Sequence, residues 1–84
     1  MIDKAKHIAA ASEAVRIYQQ SCGTIEEHVI ADLICDLGHL AELRGLDFLG
    51  EAKRGVGHWF AERHTNDGDL MGPDAIVEIS VCAR

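Results

Sequence analysis

Ile30, Leu33, Leu37 and Leu40 recur at intervals of 3, 4 and 3, and Val29, Ile34 and Ala41 widen the same stripe. That period belongs to an α-helix with one broad apolar face, not to a strand, whose side chains alternate. Thr24-Ile25-Glu26-Glu27, just ahead of the run, has the form of a capping box, in which hydroxyl and carboxylate serve each other's backbone N–H groups. Gly45 closes it, because glycine accepts the left-handed conformation after a helix, and Leu43 and Leu46 are placed for the accompanying apolar contact. The pattern predicts a helix over 25–44 with its leucine stripe in a core.

The same punctuation divides the rest of the chain. Ile8, Ala11, Val15, Tyr18 and Cys22 form a helical stripe over 4–22, with Asp3 as cap and Gly23 as stop. Asp47 can cap a third helix over 48–64, with Leu49, Ala52, Val56 and Trp59 or Phe60 as its apolar side. Gly50, Gly55 and Gly57 weaken that helix by up to about 1 kcal/mol each. Gly50 and Gly57 share a face, which suggests close approach of another helix, such as the alanine face of the first. Arg63 and His64 suit the negative end of its dipole. After turns at 65–69 and 71–74, Val77, Ile79 and Val81 alternate with Glu78 and Ser80. This favours a strand over 75–82 above a short helix capped by Asp74. The expected fold is therefore mainly α: a compact three-helix domain spanning 1–84 with a C-terminal extended, β-like tail. Its core is expected to gather Ile8, Val15, Tyr18, Ile30, Leu33, Leu37, Leu40, Leu49, Val56 and Trp59.

Composition narrows the function classes. A chain of 84 residues buries only about 60% of its unfolded surface, so its core must be tight or completed by a partner. Its 48% hydrophobic content excludes disorder. No apolar run approaches the roughly 20 residues of a membrane span, and the first residues lack a signal-peptide apolar segment. Three cysteines without a C-x-x-C pair fit the cytoplasm better than a secreted disulfide framework, and are expected to be partly buried small hydrophobes. Fourteen acids against eight bases give a net charge of −6, which disfavours direct nucleic-acid binding.

Two groups of side chains stand out. His28, Asp32, Asp36 and His39 line one side of the second helix, and Asp36-x-x-His39 has the form of half a helical carboxylate–histidine metal site. One helix supplies an incomplete shell, so a solvated polar face is preferred and a metal-binding or hydrolytic protein using these four residues is the alternative. No G-x-S-x-G, phosphate loop or C-x-x-C occurs, so no catalysis and no cofactor are expected. The second group is acidic: Glu26, Glu27, Asp32, Asp36 and Glu42 stand against Arg44 alone in the second helix segment. Such a face attracts basic surfaces. Glu27, Asp32, Asp36, His39 and Glu42, with Trp59 as an aromatic anchor, are thus the expected contact residues for a protein partner with a basic surface. Ile76, Val77, Ile79 and Val81 of the tail are expected to mediate self-association into a dimer, or strand addition to a partner. A tail lying across the helices and completing their core is the competing expectation.

The run Asp32-Leu33-Ile34-Cys35-Asp36-Leu37-Gly38-His39-Leu40-Ala41, followed by Gly45-Leu46-Asp47-Phe48 and Gly57-His58-Trp59-Phe60-Ala61-Glu62, resembles a group of small proteins carried by proteobacterial prophages, plasmids and other mobile elements. Their pattern is D-L-x-x-D-L-x-H, then G-x-D-F, then H-aromatic-x-x-E. Gly38, Gly55 and Gly57 depart from it, since larger residues are usual there, and the tail has no counterpart. The group has no established activity, so the resemblance implies a setting and no catalytic residue. In that setting the expected function is a non-catalytic, acidic interaction module, an inhibitor of a host nucleic-acid-handling complex such as CRISPR-Cas. A homo-oligomeric helical accessory protein is a further alternative.

Overall fold

The computed structural model describes residues 3–63 and 76–83. It contains the three expected helices: α1 (Lys4–Cys22), α2 (Val29–Leu43) and α3 (Phe48–Arg63), with a short 3-10 turn at Glu26–His28. No described residue forms a strand. The chain divides into two compact units, one of them Asp3–Gly45, the other containing α3 and the tail.

In the first unit, α1 begins where Asp3 Oδ1 accepts from the Lys6 N–H at 3.0 Å. It ends where Gly23, at φ +69°, donates its N–H to the Gln19 carbonyl at 2.8 Å. Gly45, at φ +71°, ends α2 in the same manner, with its N–H on the Glu42 carbonyl. The start of α2 departs from the capping-box expectation. Thr24 donates its hydroxyl to the Asp32 carboxylate, and Ile25 rather than Thr24 precedes a 3-10 turn that closes with His28 N–H on the Ile25 carbonyl at 3.1 Å and has no side-chain cap. The α-helix starts only at Val29, with no side-chain cap.

Burial corrects the expected core. Val29, at 2% exposed, and Ala41 are the buried hydrophobic residues among those described. Val15, Tyr18 and Leu33 are half-buried, whereas Ile8, Ile30, Leu37, Leu40, Leu49, Val56 and Trp59 are all exposed. Within this unit α2 has one helix beside it, and its apolar stripe is broader than a single neighbour covers.

In the second unit, Asp47 caps α3 as expected, its Oδ1 accepting the Gly50 N–H at 3.2 Å and its carbonyl the Glu51 N–H. The glycines serve other ends than helix–helix approach. A Cβ at position 50 would sit 2.5 Å from Asp47 Oδ2, so Gly50 makes room for the folded-back cap. At position 57 a Cβ would meet Val77 Cγ2 at 3.7 Å, so Gly57 lies against the tail, and Gly55 faces open space. Arg63 lies over both aromatic rings at the end of α3, 5.3 Å from the Trp59 centroid and 5.5 Å from that of Phe60. His64, Ala75 and the turns between them lie outside the described residues.

Residues 76–83 carry neither the strand nor the short helix expected there. A period of two survives in their burial: Val77 and Ile79 are half-buried, and Ile76, Glu78 and Ser80 are exposed. Val81 breaks the alternation by being exposed.

Substitution should separate the buried position from the wet stripe. Val29→Ala is expected to lower stability by about 2 kcal/mol, the scale of two buried carbons plus a residual cavity. Leu37→Ala, at a side chain 45% exposed, is expected to cost less than about 1 kcal/mol. Urea denaturation followed by circular dichroism measures both, and equal losses would contradict the observed packing.

Candidate functional site

The polar side of α2 faces the first helix. Tyr18 of α1 donates its hydroxyl to Asp36 Oδ2, and four residues earlier on α2 Asp32 Oδ2 takes the Thr24 hydroxyl. Gln19 Nε2 donates to Glu26 Oε2 at 3.0 Å and ties α1 to the turn before α2. Asp32 and Asp36 are thus exposed but engaged, each holding a hydroxyl supplied by the first half of the unit. Between the helices they border an open cleft of about 310 Å³, lined by Tyr18, Cys22, Thr24, Asp32, Cys35 and Asp36.

Cys35, Asp36 and His39 converge beside this cleft. One ligating atom from each lies within 4.8 Å of the others, and Cys35 Sγ and His39 Nε2 are 3.8 Å apart. Helical geometry makes the set: residues 35 and 39 stand one turn apart on one face, and 36 and 39 are three apart. Among the described residues the grouping therefore joins Asp36 and His39 of the expected quartet with Cys35, and leaves His28 and Asp32 out. Cys35 was missed because free cysteines are usually buried, and here Cys22, Cys35 and Cys82 are all exposed. The signal available in the sequence was the i, i+4 spacing of Cys35 and His39.

A third to nearly half a turn from the Asp32 and Asp36 carboxylates, α2 carries an exposed apolar stripe that ends at the buried Ala41. Ile30, Ile34 and Leu37, spaced i, i+4, i+7, are 67%, 52% and 45% exposed. Ile25 and Leu43 are exposed as well. Of the other expected contact residues, Glu27 and Glu42 are exposed on this unit, and Trp59 is exposed on α3 beneath Arg63. In the tail, Ile76 and Val81 are exposed while Val77 and Ile79 are half-buried.

Comparison with protein-family models, with curated proteins and with solved structures finds no match. No helix among the described residues is long and apolar enough to cross a membrane.

The hydrogen bond to Asp36, aided by the carboxylate's negative charge, pushes the Tyr18 phenol well above its usual value. Ionising Tyr18 removes the proton that Asp36 accepts and sets two anions side by side. A group with a raised folded pKa contributes stability that is full below its unfolded value, about 10 for tyrosine. That contribution is lost as pH rises through the folded value. Tyr18 is the single tyrosine, so ultraviolet titration reads it directly. Its midpoint is expected above that of free tyrosine, and Asp36→Asn is expected to bring it down. A midpoint unmoved by Asp36→Asn would break the assignment.

Proposed function

We propose that this chain is a non-catalytic interaction module that docks a protein partner along the Ile30, Ile34, Leu37 stripe of α2. The observation that carries this reading is the exposure of that stripe. Large apolar side chains at i, i+4, i+7 on one helix face are the form a helix takes when it awaits a groove or another helix. Wet isoleucines and leucines also lose the roughly 1.5–3 kcal/mol that each gains on burial, so an occupant of this face is stabilised from the start.

Charge selects the kind of partner. The chain carries −6 overall, and Glu27 and Glu42 are exposed on the same unit. A second copy would bring the same acids together, whereas a protein with an apolar ridge rimmed by lysine and arginine would meet opposite charge. In this reading Asp32 and Asp36 help chiefly by fixing the rotation of α2, and the contact energy comes from the aliphatics. Proteins that bind nucleic acid present basic surfaces of this kind. An inhibitor of a host nucleic-acid-handling complex, the setting suggested by the likeness to mobile-element proteins, is therefore the specific form of the proposal.

A photo-crosslinking amino acid at position 34, compared with one at position 13 on the outer side of α1, tests it in source cells. The expected product at position 34 is one recurrent partner with a basic surface, lost when Ile30 and Leu37 are both changed to serine. Self-crosslinking of the chain at position 34, or equal capture at position 13, would overturn the proposal.

A further inference from the structure

We propose that Cys35, Asp36 and His39 form a binding site for a zinc-class divalent cation on the cleft side of α2. The inference is independent of the docking proposal, because the stripe at Ile30, Ile34 and Leu37 and this cluster occupy different faces of the helix.

Distance is the first support. Zinc sits about 2.3 Å from a thiolate sulfur and about 2.0 Å from an imidazole nitrogen. With tetrahedral angles those bonds place sulfur and nitrogen roughly 3.5 Å apart. Cys35 Sγ and His39 Nε2 already stand 3.8 Å apart, and the Asp36 carboxylate falls within the same 4.8 Å group. The third atom must close in further, and all three side chains are exposed, so packing does not hold them apart. The fourth position faces solvent and is open to water or an outside ligand.

The donor set decides the metal. A thiolate and an imidazole favour zinc or cobalt over magnesium and calcium, which prefer oxygen shells. The one carboxylate is a harder donor, but zinc accepts it beside nitrogen and sulfur. Tyr18 supplies an outer tie, donating its hydroxyl to Asp36 Oδ2. A carboxylate has about four lone-pair sites, so this bond orients Asp36 and leaves it able to ligate. Binding converts the Cys35 thiol to a thiolate, and its proton leaves to solvent, so affinity falls as pH is lowered.

The test uses the full chain, reduced, stripped with chelator and free of any histidine tag. Zinc is titrated against a chromophoric competitor, and cobalt is used as a spectroscopic probe. The expected result is one zinc per chain, with a sulfur-to-cobalt charge-transfer band. Cys35→Ser and His39→Ala are each expected to weaken zinc by about tenfold or more, since loss of even an outer-shell partner costs about 10–100-fold. Cys35→Ser should also abolish the charge-transfer band. His28→Ala, outside the cluster, should leave affinity within about threefold. All these side chains are exposed, and circular dichroism checks that each variant keeps its helices. Failure to bind zinc in the parent, binding indifferent to Cys35→Ser, or loss confined to His28→Ala would overturn the proposal.

Discussion

Two carboxylates on α2, each holding a hydroxyl from the preceding part of the chain, set the rotation of that helix, and the character of the Asp3–Gly45 unit follows from it. With Asp36 on Tyr18 and Asp32 on Thr24, the polar side of α2 is turned toward α1. The apolar residues about a third of a turn away are then turned outward. Had α2 rotated to bury Ile30 and Ile34 against α1, both carboxylates would have lost these donors to water. Both bonds are open to solvent, so they set geometry more than they add stability.

The helices themselves were legible because their signals are local. Asp3, Gly23, Gly45 and Asp47 act through their own backbone and a few neighbours, and each takes its expected role. The capping box failed: Ile25 rather than Thr24 precedes the 3-10 turn, and the Thr24 hydroxyl donates to Asp32, eight positions on. The core failed similarly. Periodicity identifies which residues share a face, but not which face a neighbour covers, and the choice was made by Tyr18 and Thr24. Val29 and Ala41, at the margins of the expected stripe, became the buried positions.

The glycines of α3 show the same division between local and nonlocal signals. Gly50 answers to a carboxylate three residues away, which a sequence reading could have found from the adjacency to the Asp47 cap. Gly57 answers to Val77, twenty positions on, and nothing in the helix announces that contact. Val77 and Ile79 are half-buried in the unit that contains α3. Ile76 and Val81 remain outside, and any self-association through the tail would have to rest on them.

The two faces of α2 also differ in what they ask of solution conditions. An aliphatic stripe gains little from charge and little from pH, so the proposed docking there would draw its strength from area and its selectivity from the surrounding acids. A thiolate–imidazole–carboxylate cluster depends on pH and on a reduced cysteine. Placing a cation at Cys35, Asp36 and His39 would neutralise part of the acidic charge on the side of the helix away from the stripe. Because solvent and salt screen charge within about 8–10 Å, that neutralisation would scarcely reach a partner seated on Ile30 and Ile34. The metal and the partner would then bind nearly independently unless the ion altered the hydroxyl bonds of Tyr18 and Thr24. Those bonds fix the rotation of α2, so they are the one route by which the cleft side of the helix could influence the other.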